Sequence, residues 1–101
     1  MAYKIRIYKI AQEDMMEFVD YINQFHEETA ISYYDEVVDA INSLSDFPER
    51  RPLIRDNALR KKGYRWLQVK SHIIYFVVKG NIVQIRRILY NKRLYRDILK
   101  E

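Results

Sequence analysis

The sequence predicts an α+β domain. An N-terminal strand leads into an antiparallel helical hairpin, which packs on one face of a twisted antiparallel sheet. A three-strand C-terminal meander completes that sheet, with a short C-terminal helix or tail. Three observations carry this. Apolar residues recur at helical spacing through two consecutive segments. Three strand-like segments follow, separated by short turn signals. The helical and strand-like segments are segregated along the chain, as expected when a hairpin covers one face of a meander.

Tyr3 to Ile10 reads as the first strand, with Ile5 and Ile7 on one face and Lys4 and Arg6 on the other. Gln12, Glu13 and Asp14 would place negative charge in the first turn of the first helix, where the macrodipole favours it. Met15, Phe18, Val19, Ile22 and Phe25 then form one apolar face. The stretch "FHEET" interrupts the pattern, with His26 expected at the surface or as a cap. A second helix carries Ala30, Tyr33, Tyr34, Val37, Ile41 and Leu44 on one stripe and Glu36 and Asp39 opposite. It should end before Pro48, because the residue preceding a proline is pushed out of the helical region.

The polar, basic stretch from Glu49 to Lys62 contains Pro52 and reads as loop. Tyr64–Lys70 and His72–Val78 read as strands. The second is almost continuously apolar, as a central strand would be. Gly80-Asn81 is a two-residue hairpin signal, and Ile82 to about Tyr90 is the last strand. Leu94, Ile98 and Leu99 have helical spacing within Arg93–Lys100. With helices on one face, the second sheet face is expected to be concave or solvent-lined.

A chain of 101 residues is expected to form one domain, spanning 1–101. It contains no cysteine, which excludes disulfides and thiolate metal sites and makes a reducing, cytoplasmic setting the default expectation. The first residues lack the pattern of a signal peptide, and no apolar run approaches a membrane span. His26 and His72 are far apart in sequence with no clustered carboxylates, so no metal site is expected. With glycine only at 63 and 80 there is no phosphate-cradling loop, and no nucleotide or other small-molecule cofactor is expected.

Charge is unevenly distributed. Residues 1–49 carry a net −8 and residues 50–101 a net +12. Either the acidic half neutralises the basic half within the fold, or the excess cations meet an anionic partner. The candidate binding cations are Arg60, Lys61, Lys62, Arg86, Arg87, Lys92 and Arg96. Tyr64, Trp66 and Tyr90 are interleaved with basic residues, a mixture that suits RNA or an acidic peptide. Arg86 and Arg87 are neighbours on a strand and must point to opposite faces, so one of them is structural unless a bulge intervenes.

These segments together resemble the RelE/ParE superfamily of bacterial toxins, nearer its ParE-like branch. The resemblance covers essentially the whole chain. It rests on the hairpin ending Leu44 to Pro48, the Tyr64-Arg65 strand, the apolar strand with Tyr75, and the "RILYNKR" run from Arg87 to Arg93. It implies the toxin of a type II toxin–antitoxin, or plasmid-stabilisation, module. Such a toxin inhibits growth and is neutralised by a cognate antitoxin, whose toxin-binding segment should be net negative. The target would be DNA gyrase if the chain is ParE-like, without catalysis. A RelE-like chain would instead be a ribosome-dependent mRNA endonuclease, driving the RNA 2′-OH onto its neighbouring phosphate. On that alternative the catalytic candidates are Arg65, His72, Tyr90 and Arg93, with His72 standing where the RelE pattern has an arginine. An inactive binding domain of the same fold is the third reading.

Overall fold

The structure is a computed structural model that describes residues 2–91 and 95–100. The element order is β1 (Lys4–Ile7), α1 (Lys9–Asn23), α2 (Glu27–Ser43), a 3-10 turn (Pro48–Arg50), α3 (Asn57–Lys61), β2 (Tyr64–Val69), β3 (His72–Lys79), β4 (Ile82–Tyr90) and α4 (Tyr95–Lys100). The four strands form one sheet in the order β1-β4-β3-β2. The meander is antiparallel, as its short turns require. β1 joins it parallel to β4, Lys4 facing Ile82 through Ile7 facing Ile85, so the sheet is mixed.

The first helix begins earlier than its acidic residues suggest. β1 ends at Ile7, Tyr8 is the extended N-cap, and Glu13 and Asp14 fall beyond the first turn. The early start brings Ala11, fully buried, onto the same face as Met15 and Phe18. That face and the Tyr33–Val37–Ile41–Leu44 stripe of α2 close over Ile74, Phe76, Val83, Ile85 and Ile88 of the sheet. Phe25 does not join them. It lies past the end of α1, 64% exposed, with its ring 5.4 Å from that of Tyr21. Tyr34 is likewise exposed, at the margin of the α2 stripe. His26 sits at the N-cap of α2 without a side-chain capping bond.

The second sheet face is covered rather than solvent-lined. Ile73, Tyr75, Val77, Tyr64 and Leu89 are buried there beneath Ile54, Leu59 of α3 and Leu99 of α4. The reason was already present in β3, where both faces of a continuous apolar run need covering. Part of the stretch read as loop supplies that cover. Asp56 caps α3 by accepting the Leu59 N–H at 3.2 Å, and Gly63, at φ +85°, ends it with its N–H on the Arg60 carbonyl. Asp56 also accepts from Lys100 at 3.1 Å, which ties α4 to α3.

A β-bulge divides β4. Ile85 pairs with Phe76 and Arg87 with Tyr75, so Arg86 is an extra residue with no partner on β3. The bulge shifts the parity of the strand. Val83 and Ile85 point into the helix-covered core before it, and Ile88 takes that role after it. Among the described residues no helix is long and apolar enough to cross a membrane.

Candidate functional site

His72, Tyr90 and Arg87 line one groove of about 730 Å³, together with Asp14, Glu17 and Tyr21 of α1, Tyr33 of α2 and Ile98 of α4. Four elements fix its floor. The first pair of the β3–β4 ladder sets His72 opposite Tyr90, with ring centroids 5.5 Å apart. From α1, Phe18 lies 4.2 Å from the imidazole, ring centre to ring centre. From α2, the Tyr33 hydroxyl lies 2.7 Å from His72 Nδ1.

Tyr33 Oη accepts the Ser71 N–H at 3.2 Å and shares a second hydrogen bond with His72 Nδ1, so it ties the imidazole to the β2–β3 turn. The residue is only 6% exposed, and burial pushes its pKa below the ordinary value of 6.5, against a smaller upward pull from the Asp14 carboxylate. The fold therefore favours the neutral imidazole, with Nδ1 engaged by Tyr33.

This depression has a consequence for stability. A group whose folded pKa is lowered contributes stability that is present above its unfolded value and lost as pH falls through the folded one. The expected result concerns His72→Gln, which is less stable than the parent at pH 8. The gap should narrow as pH is lowered from above 6.5 toward 5, because only the parent must protonate a buried imidazole. Urea unfolding of both proteins across that range measures it. A gap that stays constant would show that His72 is not held neutral by the fold.

The two adjacent arginines have different partners. Arg87 makes a bidentate pair with Asp14, Nε to Oδ2 and Nη2 to Oδ1 both at 2.8 Å, and Asp14 Oδ2 also accepts the Ile88 N–H at 2.9 Å. Arg86 lies over the Tyr8 ring at 4.8 Å from its centroid, donates to Gln84, and reaches the Tyr64 hydroxyl at 3.4 Å. The bulge thus resolves the parity conflict, and both guanidiniums are part-buried within the fold.

The remaining candidates do not converge on the groove. Arg65 lies on β2 opposite Phe76, four ladder positions from His72, or roughly 13 Å at ~3.3 Å per residue. Its Nη1 donates to the carbonyls of Glu49 and Arg51, at 3.1 and 2.6 Å. Arg60 and Lys61 are exposed on α3, Lys62 caps it, and Arg96 on α4 comes within 3.8 Å of Asp56. Lys92 and Arg93 lie outside the described residues. Among the described residues no cluster could hold a metal ion.

Asp14 and Tyr33 have groove roles that the sequence does not assign, since it suggests a helix-dipole acid at Asp14 and a core position for Tyr33. The available signal for Asp14 was its position, since Ala11, Asp14, Met15 and Phe18 share one helical face and a carboxylate inside an apolar stripe needs a cation.

The architecture has known counterparts. It is similar to a chain of the chromosomal ParDE toxin–antitoxin system from P. aeruginosa, with TM-score 0.76 and 19% identity over 90% of this chain and 98% of that one. It is also similar to a chain of the RelBE2 toxin–antitoxin complex from Mycobacterium tuberculosis, with TM-score 0.63 and 17% identity over 90% and 100%. At such identities the likeness establishes a shared fold. No curated protein matches the chain. The sequence itself goes further: residues 5–95 match the family model of the ParE toxin of the type II toxin–antitoxin system parDE. The chain belongs to that family.

Proposed function

We propose that the chain is a ParE-like toxin that arrests growth by binding a protein target, DNA gyrase, and is neutralised by a cognate antitoxin. The observation that carries this reading is the way the fold uses its cations. Arg65 is bonded to two loop carbonyls and Arg87 to Asp14, while Arg86 is packed on aromatic rings. Phosphodiester cleavage needs cations that converge on a phosphate beside an acid or base able to exchange protons. Here the groove holds Asp14 and Glu17 against Arg87, and its histidine is neutral with Nδ1 engaged. A gyrase poison needs no catalytic group. The gyrase target itself comes from the resemblance to ParE toxins. The adjacency of His72 and Tyr90 supports a second reading, RelE-like cleavage of mRNA on the ribosome.

Inducible expression separates the readings. The expected result is growth arrest with an SOS response and DNA breaks, intact transcripts, and rescue by a co-expressed antitoxin. Cut transcripts with early loss of translation would replace the gyrase reading with the nuclease. Absence of any growth defect would leave an inactive binding domain.

A further inference from the structure

The loop that joins α2 to the rest of the chain carries an anomaly. Phe47 has φ +49° and ψ +52°, a left-handed conformation that a bulky L side chain adopts only under constraint. Its ring nevertheless gains no cover and is 69% exposed, whereas Pro48 beside it is fully buried. Glycine or asparagine would satisfy this backbone better, and the ring's described partner within the chain is the exposed Arg50 guanidinium.

The constraint comes from outside the turn. The Ser45 carbonyl accepts the Tyr3 N–H at 2.8 Å, and Tyr3 Oη donates to Glu49 Oε1 at 3.0 Å. Arg65 bonds the carbonyls of Glu49 and Arg51. Pro48 is seated in the interior. The loop is therefore held at several points around an exposed aromatic side chain. Arg50 places its guanidinium 5.2 Å from the Phe47 ring centre, and neither Arg50 nor Arg51 has a carboxylate within 4.0 Å among the described residues. A recess lies alongside, lined by Ser43, Asp46, Arg50, Arg51 and Pro52 together with Phe47 itself. Backbone strain held in place by its surroundings is a feature of binding and catalytic sites.

We infer that Phe47, flanked by Arg50 and Arg51, is the anchor with which the toxin grips its growth-arrest target, a protein surface offering an apolar pocket with a carboxylate at its rim. This rests on the proposed reading of a toxin with a protein target. A nucleic acid fits the loop less well. Single-strand platforms stack successive bases along a positively charged track, and here one ring stands alone. Asp46, Glu49, Arg50 and Arg51 also sum to zero charge. One rigid aromatic with arginine beside it and a charge-balanced rim is the composition of a protein-interface hot spot. The same balance separates it from the net-negative antitoxin segment, which the basic half as a whole should attract.

Phe47→Asn and Phe47→Gly test this, because both relieve the backbone while removing the anchor. The expected result is a thermal midpoint unchanged or raised and an antitoxin complex that still forms. The toxin dose needed for growth arrest should rise by roughly 30-fold, the loss carried by a hot-spot side chain. Arg50→Glu should lose activity in the same direction with a normal midpoint. Full arrest by the Phe47 variants would overturn the inference. So would a lowered midpoint, an equal loss of antitoxin affinity, or Phe47-dependent binding of a single-stranded oligonucleotide. Transcript cleavage by the wild-type toxin is a separate outcome, which overturns the gyrase reading while the Phe47 variants are still scored by growth.

Discussion

Phe76→Ala should cost about 3–5 kcal/mol, the usual penalty for emptying a fully enclosed aromatic site. Phe76 has no exposed surface and sits where both layers meet. It pairs with Arg65 on β2 and Ile85 on β4, directly before the bulge, and packs in the same cluster as Met15, Val37 and Ile41 of the hairpin. The backbone around it is locked by ladders on both sides, so the cavity cannot collapse readily. A domain of this size has roughly 5–15 kcal/mol of total stability. The variant should therefore melt well over 10 °C lower, at ~4–8 °C per kcal/mol, or fail to fold. Calorimetry or urea unfolding decides it. A loss below about 1 kcal/mol would mean that the hairpin does not rest on this residue.

Asp14→Ala is expected to have the next largest effect, about 2–4 kcal/mol. Truncating one partner of a fully buried ion pair costs ~3–5 kcal/mol, and this pair retains some solvent contact, with 19% and 11% of its side chains exposed. One carboxylate accepts three hydrogen bonds here, two from Arg87 and one from the Ile88 N–H. Its removal strips the guanidinium of its bidentate acceptor and unplugs a strand amide at once. Asp14→Asn keeps an acceptor oxygen and should lose less. Amide exchange at Ile88 should accelerate in the alanine variant relative to the flanking strand. Unchanged exchange there, with stability within about 0.5 kcal/mol of the parent, would assign the pair no structural role.

How much of this was legible in the sequence differs by residue. The hairpin and the meander were, because Met15–Phe18, Val37–Ile41 and the alternation along Ile82–Tyr90 are local patterns with a fixed period. The parallel seat of β1 against β4 was not, since strand pairing across most of the chain leaves no local trace. The covered second face was half legible. Val77 and Tyr75 demanded a cover, but α3 is five residues long, too short to impose a period. At the site, the register set by the Gly80-Asn81 turn alone would bring His72 opposite Leu89, and only the bulge at Arg86 moves Tyr90 into that place. The separation of Arg65 from that pair follows from the β2–β3 register about Lys70 and Ser71, a turn without the glycine that marks the next one. Arg86 and Arg87 posed the parity conflict in plain view. Only the bulge, a backbone event with no residue signature here, resolves it.

The carboxylate of Asp14 has one more effect. β1 shields β4 only as far as Ile85, and from there on the rim of the sheet would present bare backbone donors and acceptors. Tyr8 takes the Ile85 carbonyl and Asp14 takes the Ile88 amide, so two residues of the first helix and its cap stand in for a missing strand. An extended segment from a neighbouring molecule finds those groups already occupied. The stretch of β4 that runs past β1 is thereby closed to an added strand, much as the Leu53–Arg65 bridge and the Ile54 N–H on the Tyr64 carbonyl occupy part of the outer edge of β2.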